Sequence, residues 1–229
     1  MTTTIVFDFD GTVAVGAGPV VAYAREVARH ADDEFLARVE ATIRAFDAGE
    51  TDRFRDGYDI VGTLAEESGI DPEARQRAYL ASRGLLGTPD AAAELAPGLA
   101  EILADLPRET RVVLATNAPA AGVEPALTAW GVRDRFDELI YDTGKPAGLT
   151  PIIERALADG PVLAIGDIVE NDLAPASAVG ADTALVGATA ATSTAEVTMR
   201  AETLADLADQ IVAWARAAQQ TPFTTPPER

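Results

Sequence analysis

The sequence predicts an α/β protein: a parallel sheet with helices on both faces, interrupted once by an all-helical insertion. Three observations predict it. Short apolar runs rich in β-branched residues recur along the 229-residue chain and alternate with helical patterns, the rhythm that builds a parallel sheet. The strongest runs lack polar alternation, the pattern of strands buried on both faces. One long stretch, from about Gly16 to Leu95, carries helical periodicity and no convincing strand.

The first strand is expected within Thr3 to Phe9, an apolar run bounded by acids and then by Gly11. Three similar runs follow at Arg111 to Ala115, Pro161 to Ile165 and Thr183 to Val186, with Glu138 to Tyr141 a weaker one. Helical patterns lie between them at Ala120 to Trp130, Leu149 to Ala158 and Asn171 to Val179. In the long stretch, Val20 to His30, Asp33 to Ala48, Arg53 to Ser68 and Pro72 to Arg83 repeat apolar residues at three- and four-residue spacing, which gives each helix one face to bury. Asp71 before Pro72 suits a helix cap followed by proline in the first turn. The chain returns near Pro97-Gly98, so residues 1–15 and 96–220 are assigned to the sheet-bearing core and 16–95 to the helical module. Residues 221–229, rich in Pro and Thr, are expected to form a flexible tail outside the fold.

Composition narrows the function. Lys and Arg total 18 against 37 acids, a formal net charge of −19, which argues against a nucleic-acid partner or an anionic membrane surface because both demand clustered cations. The absence of cysteine excludes disulfides, thiolate metal sites and cysteine nucleophiles. A single histidine, His30, leaves no material for a multi-histidine metal site. No apolar run approaches the roughly 18 residues of a membrane span, and the N-terminus lacks a signal-peptide pattern, so the expected compartment is the cytoplasm.

Ligands of open parallel sheets bind at the carboxyl ends of the strands. The first strand delivers Asp8-Phe9-Asp10-Gly11-Thr12 there, the second Thr116-Asn117, and the next strong one Gly166-Asp167 with Asn171 and Asp172 shortly after. A loop after the weak strand adds Gly144-Lys145-Pro146. Carboxylates so crowded repel unless a cation holds them, and an all-oxygen set suits Mg²⁺ together with substrate phosphate oxygens.

These four motifs, in this order, resemble those of the haloacid dehalogenase (HAD) superfamily of hydrolases. The resemblance implies a three-layer, Rossmann-like core with a mobile cap. The insertion falls between the first two motifs, and about 28 residues separate Thr116 from Lys145, too few for a second inserted domain. The chain thus looks like a member with a first-type helical cap, similar to the phosphoglycolate phosphatase and β-phosphoglucomutase-like branch. By that resemblance Asp8 is the nucleophile that becomes an aspartyl-phosphate, and Asp10 is the acid that protonates the leaving oxygen and then activates water. Mg²⁺ would be held by Asp8, the Asp10 backbone carbonyl and Asp167. Thr116 and Asn117 would bind the phosphoryl group and Lys145 would neutralise its charge. Asn171 and Asp172 would act behind the metal ligands.

The implied activity is Mg²⁺-dependent hydrolysis of a small phosphorylated metabolite. A phosphosugar mutase of the same fold is the enzymatic alternative, and a phospho-accepting regulator the non-enzymatic one; the latter has no use for Asp10 or for the insertion. Dehalogenation is disfavoured because dehalogenases of the family lack an acid at the Asp10 position. Phosphonate hydrolysis needs a cap lysine, and residues 14–95 contain none. Arg25, Arg44, Arg53 and Arg55 are candidates to reach a substrate from the cap. Trp130, Trp214, Phe35 and Phe46 sit at helical spacing with aliphatics, which predicts core packing. Neither substrate identity nor oligomeric state is written in the sequence.

Overall fold

The computed structural model describes residues 2–220; the tail expected at 221–229 lies outside the described residues. Six strands, β1 (Thr4–Phe7), β4 (Arg111–Ala115), β5 (Glu138–Ile140), β6 (Val162–Gly166), β7 (Asp182–Leu185) and β8 (Met199–Arg200), form one sheet in the order β5-β4-β1-β6-β7-β8. Every neighbouring pair is parallel. All residues of β1 and β6 are buried, whereas those of the edge strand β5 are half-buried, which is why β1 and β6 read as unbroken apolar runs and β5 as a weak one.

Side chains alternate across the strands. Val6, Val113 and Ala164 gather on one face with Leu149, Ile152, Ile153 and Ala156 of α7 (Leu149–Leu157) and Ala176 of α8 (Ala174–Ala178). Elsewhere in this unit α5 (Leu99–Asp105) packs against α9 (Leu204–Gln220). Trp214 on α9 donates its indole N–H to Asp182 at 2.8 Å, pinning that helix to the start of β7.

The chain divides into two units: the sheet unit holds the chain up to Ala14, Leu95–Ala118 and the chain from Gly131, and the helical unit holds Val15–Glu94 and Pro119–Trp130. Two short paired strands, β2 (Ala14–Val15) and β3 (Glu94–Leu95), carry the crossings; at two residues each they fall below any sequence periodicity. The helical unit is built from α1 (Gly18–Ala28), α2 (Phe35–Asp47), α3 (Gly57–Glu67) and α4 (Pro72–Arg83) around Tyr23, Val27, Phe35, Val39, Val61 and Ala65. Asp71 caps α4 by accepting from Ala74 N–H at 2.9 Å. Asp56 caps α3 by accepting from Asp59 N–H at 2.6 Å, so that helix starts four residues later than its periodicity suggested.

Pro119–Trp130 departs from the sequence reading, which kept it with the sheet. Its helix, α6 (Ala120–Ala129), is broken at Ala121 and Gly122, where Gly122 has φ +86°. A Cβ at Gly122 would lie 2.4 Å from the Arg83 carbonyl oxygen, so the segment packs against the end of α4 inside the helical unit. Phe35 is fully buried as expected, while Phe46, Trp130 and Trp214 are half-buried. His30, Arg25 and Arg44 are exposed. Arg53 and Arg55 pair with Glu67 and Asp59. Among the described residues no helix is long and apolar enough to cross a membrane.

Candidate active site

Three adjacent strands end side by side. β1 leads into Asp8, β4 into Thr116 and Asn117, and β6 into Asp167. Strands β4 and β5 extend the sheet on one side of β1 and β6 to β8 on the other, so the strand order reverses at β1, the switch point where such sheets bind ligands. The Asp8 N–H donates to the Ile165 carbonyl at 2.9 Å, which extends the ladder one residue past β1 and fixes where the carboxylate emerges.

Lys145 arrives from the loop after β5. The Asn117 side chain grips its backbone: Oδ1 accepts from Lys145 N–H at 2.7 Å and Nδ2 donates to the Lys145 carbonyl at 3.5 Å. The ammonium then donates to Asp8 Oδ1 at 2.6 Å and to Asp172 Oδ1 at 2.8 Å, with the lysine side chain only 3% exposed. The other oxygen of Asp172 accepts from Ile168 N–H at 3.1 Å. Val169–Leu173 is a single π-helical turn, and Asp172 sits on it; such turns are frequent at functional sites.

Burial chiefly, and the Asp8 carboxylate next, push the Asp172 carboxyl up to about 7 against the pull of Lys145. Burial also opposes the charge on Lys145, but Asp8 and Asp172 outweigh it and hold the ammonium well above the usual lysine range. Lys145 is therefore a fixed positive charge.

Asp8, Asp167 and Asp172 each offer a carboxylate oxygen, all within 4.8 Å of one another. Gly11, at φ +82°, makes room for this group: a Cβ there would fall 2.2 Å from Asp167 Oδ2. A Cβ on Gly166 would fall 2.3 Å from Asp172 Cβ. Glycine is thus required where backbone and carboxylates meet. Hard oxygen donors gathered this tightly fit a small divalent cation such as Mg²⁺, which keeps several waters or substrate oxygens in its shell.

The remaining candidates stand close by in the chain. Thr116 is buried; its hydroxyl accepts from Ala118 N–H at 3.0 Å, which leaves its own proton to be donated. Asp10 lies in the turn that follows β1, where the Phe9 carbonyl accepts from Thr12, Val13 and Ala14 N–H. Asn171 lies beside Asp172 on the π turn and donates its N–H to the Ile168 carbonyl at 3.1 Å. The structure therefore brings Asp8, Lys145, Asp167 and Asp172 together, with Asn117 holding Lys145 from behind. Asp172 touches Lys145 directly and lies in the carboxylate group with Asp8 and Asp167. The Ile168 N–H that orients it carries no sequence signal, since any residue would supply it.

A family model described as haloacid dehalogenase-like hydrolase matches residues 2–180. No curated protein matches the chain. Among solved structures, YfnB from Bacillus subtilis, determined with magnesium bound, is similar with a TM-score of 0.63 at 18% identity, covering 92% of this chain and 98% of its own. A HAD phosphatase from Thermococcus onnurineus has a TM-score of 0.56 at 20% identity, covering 91% and 97%. A β-phosphoglucomutase from Clostridium difficile has a TM-score of 0.57 at 16% identity, covering 95% and 98%.

Proposed function

The chain belongs to the haloacid dehalogenase-like hydrolases, and from that premise we propose that it is a Mg²⁺-dependent phosphatase of small phosphomonoesters that works through a phosphoaspartate on Asp8. The observation that carries the proposal is the Lys145 ammonium bridging Asp8 and Asp172, with the Asp167 carboxylate in the same cluster. Two carboxylates are thereby oriented and one cation is fixed, and Asp167 beside them adds an oxygen for a metal. Asp10, two residues beyond Asp8, supplies the acid that ester cleavage needs and dehalogenation does not. The magnesium in YfnB and the phosphatase among the structural neighbours accord with this reading.

Bound Mg²⁺ would supply the positive charge that lets a carboxylate approach an anionic phosphoryl group; Asp8, Asp167 and the Asp10 carbonyl would hold it, with Asp172 beside them. Asp8 Oδ attacks phosphorus, the P–O bond to the leaving group breaks, and the Asp10 carboxyl gives its proton to the departing oxygen. Water then attacks the phosphoaspartate, Asp10 takes its proton, and inorganic phosphate leaves with Asp8 restored. Lys145 and the Thr116 hydroxyl stabilise charge on the phosphoryl oxygens throughout. The test is release of inorganic phosphate from p-nitrophenyl phosphate, which is expected with Mg²⁺, absent in EDTA, and abolished in Asp8→Asn without loss of the folded state. Near-wild-type turnover by Asp8→Asn would overturn the mechanism, and transfer of the group to a sugar hydroxyl without phosphate release would make the enzyme a mutase.

A further inference from the structure

The loop that joins β7 to β8, residues 187–198, backs two of the carboxylates from behind. At its start, Gly187 stands so close to Asp167 that a Cβ would come within 3.3 Å of the Asp167 Cβ. Thr189 Oγ1 donates to the Asp167 carbonyl at 3.5 Å. Further on, Ala190 is buried with Leu173 and Leu185, and Val169 and Val197 pack against them. Val169 and Leu173 are the two ends of the π turn that carries Asp172. One loop therefore supports both acids.

The loop holds short turns of its own, with Ala190 N–H donating to the Gly187 carbonyl and Thr192 and Ser193 N–H to the Thr189 carbonyl, and Thr198 is tied to Thr183 and Asp182 at its end. Of residues 187–198 only Ala190 is buried, so burial contributes little to its order. The Arg200 side chain joins these turns to one another. Its guanidinium donates to the carbonyls of Ala190, at 3.4 Å, Ser193 and Ala195. Among the described residues it forms no ion pair, in a protein with 37 acids. A rigid fork of five donors spans three carbonyls, and a lysine ammonium does not offer that geometry. We infer that Arg200 is a positioning residue of the acidic centre, which holds the loop at 187–198 so that Asp167 and Asp172 are fixed for the cation. The inference rests on the metal-dependent reading above.

The test is Mg²⁺ binding to the intact chain, followed both by calorimetric titration and by the Mg²⁺-induced rise in Tm. Arg200→Ala is expected to weaken Mg²⁺ binding about tenfold, the lower end of what partners beyond the ligands contribute at metal sites, and to raise the Mg²⁺ half-saturation of turnover more than it lowers kcat at saturating Mg²⁺. This direction is diagnostic, because deleting a positive charge would by itself tighten cation binding. Arg200→Lys, which keeps the charge and loses the fork, is expected to recover only part of the affinity. Unchanged or tighter Mg²⁺ binding in Arg200→Ala, with only the metal-free Tm lowered, overturns the inference, as does full recovery by Arg200→Lys. Should Arg200→Ala fail to fold, Thr189→Val takes its place: weaker Mg²⁺ binding supports the inference and unchanged binding overturns it. A wild-type chain that does not respond to Mg²⁺ at all refutes the metal reading itself, a result distinct from any of these.

Discussion

Replacing Asp167 by the isosteric Asn should stabilise the metal-free protein and at the same time abolish its response to Mg²⁺. Two carboxylate charges at 4.8 Å, the outer limit for the oxygens these acids offer, repel by about 3.5 kcal/mol at the effective dielectric of about 20 that describes partly buried charges. Asp8 and Asp172 are 12% and 5% exposed, so solvent screens them weakly. Near neutral pH the Asp172 carboxyl, pushed up to about 7, carries only part of its charge, and the nearby Lys145 ammonium attracts Asp167. The net relief is therefore about 3 kcal/mol, which for a chain of this size raises Tm by about 6–12 °C. Mg²⁺ acts in the opposite sense on the wild type: a cation that binds only the folded site stabilises by about 2.7 kcal/mol at a hundredfold excess over Kd. The assay is four thermal scans, of wild type and Asp167→Asn, each in EDTA and in Mg²⁺. The wild type should melt higher with Mg²⁺, and the variant should melt high in EDTA and show no further rise. A variant that melts lower in EDTA yet keeps the Mg²⁺ response would mean that Asp167 is a structural carboxylate, and the reasoning would fail.

Two further outcomes are expected. Asp10→Asn should slow turnover by about 10²–10⁴-fold, most for esters with poor alcohol leaving groups and least for p-nitrophenyl phosphate, whose leaving group needs little protonation; equal losses on both substrates would count against Asp10 as the acid. The second outcome concerns pH: the Asp172 carboxyl titrates at 3.8 in the unfolded chain and at about 7 in the folded one. The native state therefore binds a proton that the unfolded chain releases between those values, and metal-free stability falls through this group as pH rises from about 4 to 7. Asp172→Asn should flatten that descent. Asp71, held low by the Ala74 N–H it accepts from, slopes the other way in both proteins, so the difference between the two Tm–pH profiles is the measurement, and identical profiles would refute the assignment.

What the sequence makes legible follows from local chemistry. β1, β4 and β6 declare themselves because burial on both faces demands an unbroken apolar run, and the residues after them are the site. β8 has two residues, Met199 and Arg200, too few to carry any period. The stretch from Asn171 to Val179 reads as one helix, yet it is a π turn followed by α8. There the Asp172 carboxylate turns back to the Ile168 N–H and the Lys145 ammonium, a pull set by tertiary contacts that outweighs helical propensity. The same limit hides the loop at 187–198. Its small polar residues look like an ordinary connection, and only the fold shows them against Asp167.

The choice of base at the centre is informative in the same way. The chain has 18 basic residues and Lys145 is its only lysine. The arginines that form ion pairs do so largely near the surface, as in Arg38–Asp32 and Arg155–Glu138, and Arg200 spans carbonyls. At the switch point the demand is different. A compact ammonium with three donors can reach Asp8 and Asp172 within 2.8 Å and, under the proposed chemistry, keep one N–H for a phosphoryl oxygen. When Asp8, Asp167 and Asp172 are all ionised, as a bound divalent cation would favour, they and this one ammonium sum to two negative charges, which the cation would cancel. Under the proposed chemistry a phosphomonoester dianion would then meet a centre near neutrality, with Lys145 held against Asp8. Under the same reading, the acids that repel one another without a metal are the ones that would attract it.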